Sequence, residues 1–327
     1  MKKIAIVILA FFIGFSTMLF GCKDNNLIRI NEVTHSIFYA PLYVAINNGY
    51  FAEYGYKIEL TNGGGSDASM TALLSDSADI ALMGPETGVY VNAGGKQDAP
   101  LIFGQLTKRD GSFLVGKVNE PNFDWKNLKD KHIIAGRKGG SPAMSLQYAI
   151  EKNGLNIKTD LNFDLSVSFN NTVGAFTGGT ADYVTVFEPT ASELVRENKG
   201  YIVASVGQEA GEIPFTCFSA NKSYIASNPE KIENFLKAIQ KAYNFIMTAD
   251  IDDVVKSLKP SFSSSSDESI KASIESYKRI DAWCSSPVMT EQSYNRLLDM
   301  LINAGELTTR VDIGKVVDNT IAKKIVA

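Results

Sequence analysis

Apolar and polar residues alternate in short blocks along most of this chain, and the period of alternation changes from block to block. LIRINEV (Leu27–Val33) alternates with a period of two, as a strand half-buried in a sheet does. The next block, PLYVAINNGYFAEYG, opens on Pro41, which suits the first turn of a helix, and meets Gly49 and Gly55, either of which can end one. KIEL then predicts a second strand, SDASMTALLSDS a second helix, ADIALMG a third strand, PETGVYVNAG a third helix and APLIFGQL a fourth strand. The middle of the chain repeats the rhythm. HIIAG reads as a strand, and GGSPAMSLQYAIEKNG as a helix that Ser141 is placed to cap, Pro142 to begin and Gly154 to close. ADYVTVFEP, TASELVRENKG and YIVASV add strand, helix and strand. After IPFTCFSAN the period lengthens: from Ile232, apolar residues fall at Phe235, Leu236, Ile239, Ala242, Tyr243 and Ile246, one face of a long helix. YNRLLDMLINAGEL predicts another, and SFSSSSDES (Ser261–Ser269) reads as a polar loop. The alternation predicts an α/β chain whose sheets are mixed but mostly parallel and flanked by helices.

The first 22 residues follow a different rule. Two lysines, an apolar run from Ile4 to Phe20 and then Gly21-Cys22 have the layout of an export signal. Leu19-Phe20-Gly21-Cys22 resembles a bacterial lipobox, whose cysteine is lipidated and becomes the first mature residue, although Phe20 departs from the small residue usual there. An uncleaved anchor helix is the alternative, since the apolar run is barely long enough to span a bilayer. Both place the remainder outside the cytoplasmic membrane, at the cell surface or in a periplasm. The 327 residues are ample for two lobes. A formal charge of −4 without a basic stripe argues against nucleic acid. His35 and His132 are the only histidines, so no zinc-type cluster, and no metal or other cofactor, is expected. Cys217 and Cys284 belong to no Cys-x-x-Cys pair and could be bridged or simply buried.

The stretch NGGGSDASMTALLS (Asn62–Ser75) runs three glycines into a helix start, where free N–H groups could meet a ligand. Nucleotide motifs fail here. A phosphate loop needs Gly-Lys-Ser/Thr where Gly65-Ser66-Asp67 stands, and Ala68 occupies the third glycine of a dinucleotide fingerprint. Ligands of α/β sheets sit beyond the carboxyl ends of strands, which selects Ser36–Tyr39, Gly63–Asp67, Gly84–Thr87, Gly139–Ser141 and Phe187–Pro189.

Several of these blocks, in order, resemble one family. Ala40-Pro41-Leu42-Tyr43, Gly49-Tyr50-Phe51 and Glu53-Tyr54-Gly55, then Gly63–Ser66, Ala78–Gly84 and Thr180–Pro189, are similar to the nitrate, sulfonate and thiamine-precursor binding proteins of ABC importers. This group includes the NMT1/THI5-like and SsuA-like proteins. The resemblance implies a two-lobe clamshell of the type II periplasmic binding proteins. Residues 27–109 and 216–327 would form one lobe and 110–215 the other, behind a signal segment at 1–22. It implies a monomer that captures a small solute between the lobes without chemistry and delivers it to a membrane permease and its ATPase. A lipid on Cys22 would be its tether.

The ligand-binding residues expected on this reading are Phe38, Tyr39, Gly65, Ser66, Asp67, Glu86, Thr87, Gly140, Ser141, Phe187 and Glu188, with no catalytic residue. Carboxylates beside aromatic rings suit a flat ring bearing amino groups, as in the thiamine-pyrimidine branch of the group. Ser66, Ser141 and helix N-termini would instead suit a sulfonate or nitrate, with Arg109 and Arg137 offsetting the acids. An enzyme on the same fold is a rival, either a THI5-like pyrimidine synthase or a menaquinone-pathway relative. The Cys-Cys-Cys-Phe-Cys run of the THI5-like synthase is missing, however, and no nucleophile–base set accompanies the carboxylates. A surface adhesin or sensor using an outer face is a third class.

Overall fold

The computed structural model describes residues 25–325, and the proposed lipobox cysteine, Cys22, lies outside them. Strand β1 (Leu27–Glu32) keeps the predicted alternation over its first four residues, Ile28 and Ile30 being fully buried and Leu27 and Arg29 half-buried, and then buries Asn31 and Glu32 as well. It pairs in parallel with β2 (Lys57–Asn62) on one side and β3 (Ile80–Met83) on the other. β4 (Leu101–Thr107) and β10 (Thr216–Ala220) complete this sheet in the order β2-β1-β3-β10-β4. β10 is antiparallel to both of its neighbours.

The second sheet repeats the plan. β5 (Ser112–Gly116), β6 (His132–Ile134), β7 (Asn162–Asp164), β8 (Tyr183–Phe187) and β9 (Tyr201–Ser205) lie in the order β7-β6-β8-β5-β9. β6 is parallel to β7 and β8, whereas β5 is antiparallel to β8 and β9. Each sheet is therefore mixed, with one antiparallel strand in its fourth place. The two sheets, with their helices, are the lobes of a clamshell.

Helices follow the strands as the periodicity indicates. Ala40–Asn47 succeeds β1, Ser66–Leu74 β2, Pro85–Ala93 β3 and Ser141–Lys152 β6. The long helix Pro229–Thr248 buries Ile232, Phe235, Leu236, Ile239, Ala242 and Ile246, leaving Tyr243 half-buried. Ser261–Ser269 is loop only in part, because Ser266 accepts from the Ser269 N–H and caps a further helix, Asp267–Arg279. Among the described residues no helix is long and apolar enough to cross a membrane.

The chain crosses between the sheets after β4 and again before β10. The two crossings run side by side, with Ile213 N–H donating to Lys108 O at 2.9 Å and Phe215 N–H to Thr107 O at 3.2 Å. Asp110 lies in the first crossing and is almost wholly buried. One of its carboxylate oxygens accepts from the Ser112 N–H at 2.6 Å, and the other is buried without a hydrogen bond. Burial pushes its pKa up to about 7, against smaller opposing effects of Ser112 and Ser145.

Both cysteines in the described residues are free thiols. Cys217 stands opposite Gln105 of β4, and the Cys284 N–H donates to Leu106 O at 2.9 Å from the other side of the same strand. Two strand spacings separate them, about 10 Å. A disulfide needs Cα atoms within roughly 7 Å, so β4 keeps the pair apart.

Candidate functional site

A cavity of about 140 Å³ lies between the carboxyl ends of the two sheets. The first lobe contributes Thr34, Tyr39, Gly64, Gly65, Ser66, Gly84, Glu86 and Thr216 to its wall. The second contributes Arg137, Gly140, Ser141, Thr172, Thr185 and Phe187.

Glycine shapes two of these walls. Gly64 has φ +74°, a left-handed conformation open to glycine, and its N–H donates to Asn62 Oδ1 at 2.8 Å. This turn delivers Gly65 to the N-cap of the helix Ser66–Leu74. At Gly84 the reason is space: a Cβ there would overlap the Glu86 carboxylate, which folds back over the first turn of its own helix.

Glu86 is buried, and desolvation raises its pKa above the ordinary carboxylate value. The Ser141 hydroxyl donates to Glu86 Oε2 at 2.6 Å from the opposite lobe. That hydroxyl, nearby backbone N–H groups and the charge of Arg137 offset the desolvation only in part. Ser141 therefore does not cap its helix as the sequence suggests. Gly140 occupies the N-cap position, and Ser141 spends its hydroxyl across the cleft.

Two more contacts join the lobes. Arg137 pairs with Asp67 at 2.6 Å, and the Tyr90 hydroxyl donates to Gly139 O at 3.2 Å. Burial alone would raise the Asp67 pKa, yet the Arg137 guanidinium holds it below the usual range. Behind these contacts Met144 packs with Tyr294, Leu297 and Met300 of the helix Glu291–Asn303. The lobes are thus closed on one another.

Tyr39, Gly65, Ser66, Glu86, Gly140, Ser141 and Phe187 line the cavity. Tyr39 is buried, and its phenol is pushed up by desolvation and then by the charge of Glu32. The other four expected residues stand outside the lining. Phe38 is fully buried behind it, with its ring centroid 5.5 Å from Phe187 and 5.8 Å from Phe215. Thr87 donates its hydroxyl to Gly84 O at 2.8 Å and closes the helix turn. Asp67 is mostly exposed and engaged by Arg137. Glu188 is fully buried, its carboxylate accepting the Ser192 N–H and hydroxyl, each at 2.9 Å.

Thr34, Thr185 and Thr216 are lining residues that sequence reasoning did not select. A signal was present for two of them. Thr185 and Thr216 are hydroxyl residues within strands that are otherwise largely apolar, near the ends that meet the cavity.

Comparison with known proteins agrees with this architecture. Residues 34–258 match the model of the NMT1-like family. YtlA of Bacillus subtilis (strain 168), described as a candidate binding protein, is 38% identical over 308 residues, 93% of this chain and 92% of its own. A 4-amino-5-hydroxymethyl-2-methylpyrimidine phosphate synthase of Aspergillus parasiticus is 24% identical over 230 residues, 64% of this chain and 63% of its own. Among solved structures, the alkanesulfonate-binding protein SsuA of Xanthomonas axonopodis pv. citri, bound to MOPS, superimposes with a TM-score of 0.73. It shares 18% identity and the match covers 90% of this chain and 99% of SsuA. A cleft closed between two sheets of one plan, a family match over most of the chain and a near-full-length relative agree: this chain belongs to the NMT1-like family and has the fold of the solute-binding proteins of ABC importers.

Proposed function

We propose that this protein is an extracytoplasmic, lipid-anchored monomer that captures a small amino-bearing heterocycle, of the thiamine-pyrimidine kind, and hands it to an ABC permease. Residues 27–109 and 216–327 form one moving body and 110–215 the other, with the paired crossings as the hinge. Binding involves no chemistry. The lipid is carried by Cys22, after removal of the residues before it.

The observation that carries the ligand class is the buried carboxylate of Glu86 in the cavity wall. A carboxylate is an acceptor when ionised, and keeping it so in a desolvated wall calls for donors. Ring amino groups supply them, while Tyr39 and Phe187 offer aromatic faces to the ring. The pyrimidine named in the Aspergillus relative's activity has this chemistry.

A thermal-shift panel on the purified protein tests the reading, with aminopyrimidines, thiamine, nucleobases, alkanesulfonates and nitrate as probes. A ligand at a hundred times its dissociation constant stabilises the native state by about 2.7 kcal/mol. The expected result is a shift with an aminopyrimidine that Glu86→Gln cuts to about half or less. A second reading, an alkanesulfonate, is favoured by Arg137 in the wall and by the likeness to SsuA. A shift with sulfonates alone would select it.

A further inference from the structure

Next to this cavity lies an outer chamber of about 200 Å³, and Thr34, Thr172, Thr185 and Phe187 line both spaces. The inner chamber, at about 140 Å³, is small for a whole ligand, since small-molecule sites usually run to roughly 300–1,000 Å³. With the outer chamber included, the site reaches the lower end of that range.

Two titratable residues border the outer chamber, and both are engaged elsewhere. His35 Nδ1 lies 3.0 Å from Glu32 Oε1 and its Nε2 2.7 Å from Ser261 O, so both ring nitrogens face acceptors outside the chamber. The Glu188 carboxylate is fully buried against Ser192. The rest of its lining is uncharged and includes Thr34, Asn170, Val173, Thr185 and Thr190.

We infer that the ligand has two parts: a compact head in the inner chamber and an uncharged polar arm, bearing hydroxyl or amide groups, in the outer one. The inference rests on the proposed cleft but not on the chemistry of the head.

Disulfide tethering tests the arm by itself. Thr190→Cys is equilibrated with thiol fragments of equal size bearing a hydroxyl, an amide, a carboxylate or an ammonium, and retention is read by intact-protein mass spectrometry. The wild-type chain, with its own cysteines, is the blank. Neutral polar fragments are expected to be retained about fivefold over charged ones, the worth of one net hydrogen bond. Adding Val173→Trp, which fills the chamber, should abolish the preference. Equal retention of all fragments, preference for a charged one, or a preference untouched by Val173→Trp would overturn the inference. If Thr190→Cys does not fold, Thr34→Cys reads the same space from another lining position. Glu86→Gln should leave the arm preference intact, so failure of the amino-heterocycle reading and failure of the two-part ligand appear in different experiments.

Discussion

Glu86 and Glu188 occupy matching places in the two lobes. Each lies just past the end of the third strand of its sheet, beside a proline and at the start of a helix. Both are buried, and in both desolvation is the largest cause of a raised pKa. Their partners differ. Glu86 accepts a hydroxyl from the opposite lobe and lines the cavity, whereas Glu188 accepts the N–H and hydroxyl of Ser192 from its own helix, with the Ser276 hydroxyl of the first lobe also favouring its charged form. A carboxylate at the carboxyl end of a central strand becomes a ligand group or a helix cap according to which donors the neighbouring residues present.

The largest effect is expected from a third buried carboxylate, Asp110, which has neither a helix to cap nor a donor across the cleft. Between its ordinary value of 3.8 and about 7, folded Asp110 holds a proton that the unfolded chain has released. Stability should therefore fall as pH rises through that window, by up to roughly 4 kcal/mol. Urea unfolding from pH 4 to pH 8 should show the fall in the wild type and a flatter profile in Asp110→Asn. Next comes Glu86→Gln. Loss of a charge-assisted hydrogen bond to the ligand, worth about 1.5–3 kcal/mol, should weaken an aminopyrimidine by tenfold or more in calorimetric titration, without lowering the melting point of the empty protein. Glu188→Ala should do the reverse, losing about 1–2 kcal/mol of stability in urea with affinity held within about twofold. Equal effects of the two glutamate variants on affinity would break the comparison. The smallest effect is expected at the exposed Asp67–Arg137 pair. Asp67→Asn should change affinity by less than about 1 kcal/mol, and the change should shrink in high salt.

Much of the fold is legible in the sequence because each block has one dominant period. ADIALMG contains β3, APLIFGQL covers β4 up to Leu106, and the stripe from Ile232 is the buried face of the helix Pro229–Thr248. β10 carries a weaker signal. Its TCFSA is buried throughout and bears no alternation, and a strand that enters a sheet antiparallel from a distant part of the chain leaves no local mark. The candidate site is legible to the level of the backbone. The carboxyl-end rule selects Glu86 and Glu188 alike, since it positions a Cα and is silent on where the side chain turns. Ser141 shows the same limit. Beside Pro142 it has every local feature of a cap, and only the approach of Glu86 from the other lobe redirects its hydroxyl.

The place of β10 also bears on how the protein is made. A strand about two-thirds along the chain sits between β3 and β4, so the first sheet cannot close until residues 216–220 have left the ribosome. All five strands of the second sheet precede them. Translation at 5–20 residues per second separates β4 from β10 by on the order of ten seconds, during which β3 and β4 each present an unpaired edge. The second-made lobe is thus the first able to finish, and a chaperone that holds the nascent chain has most to shield at its N-terminal end.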